Sequence, residues 1–485
     1  MNLTWQVFAV WERTAQRMER DCATRFPEYR TNFLEQTMSH NSRIIPSGQA
    51  AHRPSRIVAV LTMFICCGAL TAASAATLCV SRQKVPWCST TISAAVSAAS
   101  PGDTILVAPG TYREDVIVTK SLSLVALTPH RVTIDASGLS NGIFINGMAA
   151  MPNIGVSSVV VSGFTVKNAN FEGILVANAY DTTLTGNHVL DNDKALSGGA
   201  CLGIPDFETS EGEDCGEGIH LMADQHSSVV RNLVEHNAGG ILITDETGVN
   251  RSNLVSGNIV QDNVYDCGIT MASHPPAISI GPGPTPSFGV FNNTISHNFS
   301  ARNGVKGAGA GVGIFAPSPG TSDSGNVVID NILIGNANAG VAMHNHGFAP
   351  SPAPGVNFND NVIVGNHFSG NGADSGDAAT PGSVGINILS AAPITGTVVS
   401  QNTFDDEAID VAFKASSGQL SVHLNNFERR AIGVDNLGTA PINATENWWG
   451  CITGPGSRGC AKASGPSVST IPWLISPFQS DSDDR

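Results

Sequence analysis

A short internal repeat constrains the fold of this 485-residue chain more than any other feature. The repeat is glycine followed by isoleucine or valine and then by alternating hydrophobic residues, and its shortest spacings are 22 and 23 residues. Alternate side chains of such a short strand point to opposite faces, and repeats of this length bury their apolar rows by stacking on one another. Copies begin at Gly142, Gly173, Gly218, Gly240, Gly268, Gly313, Gly340 and Gly385, and Ala408 and Ala431 continue the series.

A second motif, asparagine-x-hydrophobic-x-x-asparagine, lies between successive copies of the first. Its copies include residues 187–192, 232–237, 258–263, 293–298, 331–336 and 361–366. Asparagine tolerates turn conformations and can hydrogen-bond to an asparagine one repeat away. The two motifs together predict an all-β chain, folded as a right-handed parallel β-helix of about ten to twelve rungs, where one rung is one turn of the chain. The longer blades of a β-propeller and the leucine spine of a leucine-rich repeat are absent.

The ends of a solenoid must be capped. Residues 91–99 place Ile92, Val96 and Ala99 at a helical spacing, which predicts an N-terminal capping helix. At the other end, Trp448 and Trp449 are large enough to close the last rung.

An apolar run over residues 57–76 follows Arg53 and Arg56 and contains the small-residue site Ala73-Ser74-Ala75. This arrangement predicts a secretory signal over residues 53–75, although the length of the run leaves a retained membrane anchor as the alternative. Residues 1–52 show no repeat and are interpreted as a disordered extension or as sequence upstream of the true start. Residues 76–485 are then a single secreted domain, periplasmic or extracellular, with no membrane span and expected to be a monomer.

Six cysteines of the predicted domain form three close pairs, while Cys267 is left over as a buried thiol. None of the pairs has the short spacing of a zinc site, so disulfides in an oxidising compartment are expected. Two of these disulfides would fasten the ends of the domain. The middle one would fasten an acidic insertion at residues 193–217. The pairs are Cys79 with Cys88, Cys201 with Cys215, and Cys451 with Cys460.

The charge of the chain indicates which classes of binding partner are compatible with it. The chain has 25 lysines and arginines against 40 aspartates and glutamates, a net charge of −15 at pH 7. Nucleic-acid binding requires a basic surface and is excluded. A negative surface also repels polyuronates unless cations bridge the two, which favours a neutral glycan or a Ca²⁺-dependent encounter.

Two segments carry a resemblance to a known group. Residues 91–112 resemble the opening of pectin-lyase-like right-handed β-helix proteins, which include pectin methylesterases and periplasmic NosD-type proteins, and residues 447–455 are similar to a closing motif of secreted β-helix-repeat proteins. The resemblance implies a secreted β-helix and a polysaccharide partner. The catalytic motifs of the group are absent apart from Asp405-Asp406, so no catalytic residue can be transferred.

Candidate catalytic residues come instead from aligning the rungs. Asp224, Glu246 and His274 fall on three consecutive rungs, and rungs stack about 4.8 Å apart. The alignment therefore predicts a groove on the outer face of the middle rungs, suited to general acid/base catalysis or to binding a cation. A solvated ladder of polar side chains is the simpler alternative. The neighbours that complete the predicted catalytic cluster are Glu217, His220 and Asp245.

A metal site is a separate expectation. His344 and His346 are two residues apart, so they would share one face of a strand and could both ligate a metal. Carboxylates with a histidine pair suit Zn²⁺ or Mn²⁺, and carboxylates with carbonyls suit Ca²⁺, so Ca²⁺ or another divalent cation is the expected cofactor.

Three functions remain open at this point. The first is a polysaccharide-active enzyme, either a lyase or a glycoside hydrolase, with its site at the predicted groove. The second is a non-catalytic exported β-helix that binds glycan or serves as a cell-surface scaffold. The third is a NosD-like metal-delivery protein, which rests on the opening segment and on the histidine pair.

Overall fold

The computed structural model describes residues 75–193, 205, 207, 216–274, 287–316, 320–344, 356–375 and 380–479. The predicted extension and all but the last residue of the predicted secretory signal lie outside this part of the chain. Within it, no helix is long and apolar enough to cross a membrane.

The chain winds through three parallel sheets, and each rung of the central solenoid adds one strand to each sheet in turn. The sheets contain 14, 10 and 12 strands, and we name them sheet 1, sheet 2 and sheet 3. The predicted right-handed parallel β-helix is therefore confirmed. Sheet 1 consists of Thr77–Val80, Thr104–Val107, Ser123–Ala126, Val160–Ser162, Thr183–Thr185, Ser228–Val230, Leu254–Ser256, Thr294–Ser296, Val327–Ile329, Val362–Val364, Val398–Ser400, Leu420–His423, Ile442–Asn443 and Val468–Ser469.

Sheets 2 and 3 follow sheet 1 within each rung. Sheet 2 consists of Gly110–Tyr112, Val132–Asp135, Thr165–Lys167, His188–Leu190, Leu233–Glu235, Ile259–Gln261, Phe299–Ala301, Ile332–Ile334, His367–Ser369 and Thr403–Asp405. Sheet 3 consists of Val116–Val118, Ile143–Asn146, Ile174–Ala177, Glu217–Met222, Gly239–Thr244, Ile269–Ala272, Val312–Phe315, Val341–His344, Val384–Ser390, Ile409–Ala415, Ile432–Asn436 and Lys462–Ser464.

Two short sheets lie at the turn that leads from sheet 3 back to sheet 1. One pairs Val156–Ser157 with Ala179–Tyr180, and the other joins Asn250–Arg251, Val290–Phe291 and Asp323–Ser324. A single turn of 3₁₀ helix spans Met148–Ala150.

The repeat glycines begin the strands of sheet 3, as the sequence motif indicates. Gly240 shows why this position excludes larger residues, because a Cβ built there would lie 2.0 Å from the carbonyl oxygen of Gly268 on the next rung. Three copies of the motif were placed two residues away from their structural equivalents. Gly313 pairs with Thr270, and Ile386 pairs with Val411, so the equivalent positions are Gly311, Asp410 and Gly433 in place of Gly313, Ala408 and Ala431.

Aliphatic side chains that point inward from the three sheets form one continuous core. In sheet 3, Ile219 lies in register with Ile241, and Ile241 with Ile269 on the following rung. Each such side chain is fully removed from water, which is worth about 1.5–3 kcal/mol per residue. The uniform register explains why the spacing of the sequence motif predicts the fold.

Buried asparagines form three hydrogen-bonded ladders along the solenoid. In each ladder, the backbone N–H of one residue donates to the side-chain oxygen of its equivalent on the next rung. The ladders are Asn187, Asn232, Asn258, Asn298, Asn331, Asn366, Asn402, Asn425 and Asn447; then Asn192, Asn237, Asn263, Asn303, Asn336 and Asn371; and Ser227, Asn253, Asn293, Asn326 and Asn361.

The second ladder ends in a carboxylate, and this ending makes stability depend on pH. Glu407 accepts hydrogen bonds from the backbone and side-chain nitrogens of Asn371, at 3.1 and 2.8 Å. Burial raises the pKa of Glu407 from 4.5 to about 7, against the opposing effect of these hydrogen bonds. The folded state then holds this proton more tightly than the unfolded state, so the stability contributed by Glu407 falls as pH rises from about 4.5 to about 7.

We therefore expect Glu407→Gln to increase the free energy of unfolding at pH 8 by up to roughly 3 kcal/mol. The glutamine oxygen can still accept from Asn371, and the buried charge is gone. Denaturant unfolding at pH 5 and pH 8 measures the effect, with the exposed Asp405→Asn as the matched control. An equal pH slope in the wild type and in Glu407→Gln would contradict the prediction.

Both ends of the solenoid are closed. The predicted capping helix is present as Ile92–Ala98, with the Thr91 hydroxyl accepting from the backbone of Ala94. Glu114 supports the start of this helix, because its carboxylate accepts from the backbone nitrogens of Ile92 and Ser93 at 2.9 and 2.8 Å. At the other end, a stack of aromatic rings fills the last rungs and ends in the fully buried Trp449, as predicted for closure. The stack is Phe368, Phe404, Phe427 and Trp449.

Two of the three predicted disulfides are present, Cys79–Cys88 and Cys451–Cys460, one near each end. Cys201 and Cys215 lie outside the described residues, so their pairing stays a prediction. Cys267 is a buried free thiol, as expected, and accepts a hydrogen bond from the backbone of Ala310.

Candidate functional site

Sheet 3 differs from the other two sheets in that its outer face is also buried. Strands of sheets 1 and 2 alternate between buried and partly exposed residues, as in Leu233–Glu235. Every residue is buried in six middle strands of sheet 3 and in Ile174–Ala177 before them. The predicted groove on this face is therefore not open to solvent. The six strands are Glu217–Met222, Gly239–Thr244, Ile269–Ala272, Val312–Phe315, Val341–His344 and Val384–Ser390.

The long stretches of sequence between rungs adjoin this same sheet. Residues 194–215 precede Glu217–Met222, residues 275–286 follow Ile269–Ala272, and residues 345–355 follow Val341–His344. Insertions beside a rigid face commonly build binding sites. The outer face of sheet 3 is thus the part of the solenoid where a site is expected.

The first polar cluster on this face consists of Glu172, Glu217 and His220. Glu172 comes just before the strand Ile174–Ala177, and the other two lie on the next strand of sheet 3. One ligand atom from each of the three residues lies within 4.8 Å of the others, and all three residues are buried. Among the described residues, this is the one group of three or more His, Cys, Asp or Glu side chains close enough to hold a metal ion.

Thr244 links this cluster to a second one. His220 Nε2 lies 2.8 Å from Thr244 Oγ1 on the neighbouring rung. Thr244 also opposes the rise in the pKa of Glu246, two residues further along the chain. Thr244 therefore contacts the first cluster and influences the second.

The second cluster joins Glu246, His274 and Asp245. His274 Nδ1 lies 3.6 Å from Glu246 Oε1, and both side chains are buried. Asp245 Oδ1 accepts from the backbone nitrogen of His274 at 2.7 Å, and its Oδ2 accepts from the Ser273 hydroxyl at 3.1 Å and from the backbone of Gly289. Asp245 therefore holds the segment that carries His274 in place.

Burial sets the proton affinity of these carboxylates. It raises the pKa of Glu246 to about 7, although His274 and Thr244 act in the opposite direction. It raises the pKa of Asp245 to about 6, opposed by the hydrogen bonds from the backbones of His274 and Gly289. Asp323 lies on the last strand of the three-stranded short sheet. Its pKa is well above its ordinary value because the side chain is buried and Asp245 is nearby. Carboxyl groups with pKa values near neutrality suit general acid/base chemistry.

Asp224 was predicted to join these residues, and the register does place it one rung before Glu246. Its carboxylate accepts hydrogen bonds within its own turn, from the Ser227 hydroxyl at 2.9 Å and the Gln225 backbone at 3.0 Å. Burial raises the pKa of Asp224 well above its ordinary value. The contacts therefore make Asp224 a turn residue that borders the second cluster.

His344 contacts a carboxylate that the sequence did not indicate. His344 Nε2 lies 3.2 Å from Asp374 Oδ2, and the same oxygen accepts from Asn387 Nδ2 at 2.8 Å. The ring of Phe315 packs against His344, with 4.8 Å between ring centroids. His346 lies outside the described residues, so the predicted histidine pair as a metal site stays a prediction.

Sequence analysis missed Glu172, Thr244, Asp323 and Asp374. A signal for the first was present, because Glu172 and Glu217 each directly precede a repeat glycine. Thr244 occupies a strand position that is apolar on the two neighbouring rungs, at Met222 and Ala272. Asp323 and Asp374 come close to their partners only through the fold.

Residues 128–282 match the family model described as "Right handed beta helix region". The comparison with curated proteins finds no match. Among solved structures, DFA-IIIase from Arthrobacter chlorophenolicus A6 without its lid is 12% identical, with a TM-score of 0.49, over 82% of this chain and 99% of that chain. Alginate lyase from a Paenibacillus species is 12% identical, with a TM-score of 0.43, over 71% and 97% of the two chains.

The surface adhesin PfbA of Streptococcus pneumoniae is 15% identical, with a TM-score of 0.40, over 74% of this chain and 80% of that chain. The matched family segment contains five strands of sheet 3, and the parallel winding continues on both sides of it. The family match and the three parallel sheets together identify the chain as a right-handed parallel β-helix protein.

Proposed function

We propose that this protein is a polysaccharide-active enzyme, either a lyase or a glycoside hydrolase, that works at the outer face of sheet 3. The observation that carries the proposal is the contact between Glu246 and His274, two buried titratable side chains 3.6 Å apart. Buried ionisable groups are costly to retain, and clusters of them with near-neutral pKa values are typical of catalytic sites.

Each residue of the second cluster has a distinct role in this proposal. Glu246, with a pKa of about 7, can donate or accept a proton at neutral pH. His274 is its proton-exchange partner through Nδ1. Asp245 is a positioning residue, since it binds the backbone of His274 and not its ring. Both bond-cleaving reactions need such an acid/base group, by proton abstraction in a lyase and by protonation of the leaving oxygen in a hydrolase.

The disulfides support a location outside the cytoplasm. Cys79–Cys88 and Cys451–Cys460 are typical of an oxidising compartment. We propose that the protein is secreted to the periplasm or the cell exterior, where polysaccharides are accessible.

A second candidate is favoured by one observation. Glu246 and His274 are each only 2% exposed, so neither side chain offers a glycan an accessible surface. A non-catalytic β-helix that binds glycan elsewhere or serves as a scaffold needs no such access.

One experiment separates the two candidates. The purified protein is incubated with a panel of neutral and acidic polysaccharides, with Ca²⁺ and with a chelator, and both reducing ends and unsaturated ends are measured. We expect release on one class of glycan; unsaturated ends identify a lyase, and reducing ends without unsaturation identify a hydrolase. Glycan retention by a folded sample without any release would establish the binding role and overturn the enzymatic one.

A further inference from the structure

We propose that Glu172, Glu217 and His220 form a binding site for one divalent transition-metal ion of the Zn²⁺ or Mn²⁺ type. This first cluster is distinct from the Glu246–His274 pair, and Thr244, which contacts His220, lies two residues before Glu246. The inference does not depend on the proposed enzymatic activity, because metal binding is measured without any substrate.

The geometry supplies three ligands from two neighbouring rungs. The strands that carry or follow the three residues are hydrogen-bonded in register, with Ile174 opposite Ile219 and Leu175 opposite His220. The three ligand atoms lie within 4.8 Å of one another, a range that includes the separations between ligands that each lie about 2.0–2.3 Å from one central ion. All three residues are buried, and Glu217 and His220 lie on a strand paired with the one that Glu172 precedes, so the arrangement is pre-organised.

The ring of His220 is oriented as metal-binding histidines usually are. Such a histidine binds the ion through one nitrogen and donates its other N–H to a neighbouring acceptor, which fixes the tautomer. In this structure, Nε2 lies 2.8 Å from Thr244 Oγ1, so the Thr244 hydroxyl orients the ring. Thr244 is then a positioning residue for the metal site.

The side chain of Glu217 has room at this position because its neighbour on the next rung is a glycine. Glu217 pairs in register with Gly239, and a Cβ there would lie 3.2 Å from Glu217 Cγ. Glu217 Oε2 accepts a hydrogen bond from the backbone of Gly216 at 3.1 Å, which fixes one end of the carboxylate. A larger residue in place of Gly239 would displace the glutamate from the cluster.

The ligand types decide which ions fit. One imidazole nitrogen with two carboxylates suits Zn²⁺, Mn²⁺ or a similar transition metal, whereas Ca²⁺ prefers six to eight oxygen ligands. Three protein ligands also leave a coordination position for water or for an oxygen of a bound molecule, as in catalytic zinc sites. We therefore expect Zn²⁺ and Mn²⁺ to bind and Ca²⁺ to bind much more weakly.

The test is direct metal binding by the full chain. The protein is stripped with a chelator and titrated with Zn²⁺, Mn²⁺ and Ca²⁺ by calorimetry, and Co²⁺ absorption reports nitrogen coordination. We expect a single Zn²⁺ per chain, with affinity lowered at least about 100-fold in Glu217→Gln and in His220→Asn, and about 10–100-fold in Thr244→Val. The Co²⁺ spectrum should change in His220→Asn and stay unchanged in the control below.

The matched control is His188 with Glu235, a histidine–carboxylate pair 3.0 Å apart on the outside of sheet 2. The double substitution His188→Asn with Glu235→Gln should keep wild-type affinity. Circular dichroism confirms the fold of each variant, and Glu172→Gln replaces any variant that fails to fold. Equal Zn²⁺ affinity in the wild type and in Glu217→Gln, a stronger affinity for Ca²⁺ than for Zn²⁺, or no binding by the wild type would each overturn the proposal.

Discussion

Replacing Asn298 with alanine is expected to lower the free energy of unfolding by about 3–5 kcal/mol. The Asn298 side-chain oxygen accepts from the backbone and the side chain of Asn258, and its nitrogen donates to Val255 and to Asn331. Alanine removes all four hydrogen bonds and leaves buried groups of both neighbouring rungs unsatisfied, at about 1–3 kcal/mol for each lost partner. Denaturant unfolding followed by circular dichroism measures the change.

The control for this variant is Asn153→Ala. Asn153 is exposed on a loop, so its loss should change the free energy of unfolding by less than about 0.5 kcal/mol. If Asn298→Ala destabilises the protein no more than Asn153→Ala, the ladders are not a major source of stability.

The largest expected effect on activity comes from Glu246→Gln. We expect it to lower kcat on the substrate found in the glycan panel by about 10²–10⁴-fold, the usual contribution of a general acid or base. Glutamine keeps the shape of the side chain and can still contact Thr244, so the fold should be retained. Because burial raises the pKa of Glu246 to about 7, the wild-type pH–rate profile should bend near that value, and the bend should disappear in the variant.

Asp330→Asn is the matched control for this prediction. Asp330 lies 3.7 Å from His297 in a histidine–carboxylate pair on the surface, and each of the two side chains is about half exposed. Wild-type activity in Asp330→Asn, with loss in both Glu246→Gln and His274→Ala, would support the second cluster as the site. Full activity in Glu246→Gln would place the chemistry elsewhere.

The sequence predicts the fold well because one physical rule governs every rung. Inward side chains such as Ile219, Ile241 and Ile269 must stack in register, so their spacing in the sequence reports the winding of the chain. The prediction slipped by two residues at Gly313 because that rung contains two glycines on alternate positions, Gly311 and Gly313, and both fit the motif.

The candidate site was predicted only in part, for a related reason. The register brings His274 next to Glu246, as the alignment of the rungs predicts. Their burial was not predictable, since the repeat specifies the inward side chains and not the exposure of an outer face. Glu172 joins the first cluster, and Thr244 contacts it, through neighbours on other rungs, which no local pattern reports.

The asparagine ladders also bear on how chains of this kind change length in evolution. Asn366 donates to Asn402, and Asn402 donates in the same way to Asn425, 23 residues further on. Deletion of one such 23-residue segment would bring Asn425 to the position that Asn402 occupies. The side-chain oxygen of Asn425 would then face the same donor, the backbone N–H of Asn366. Duplication of the segment would extend the series by one. The solenoid can therefore gain or lose whole rungs while its cross-section stays the same.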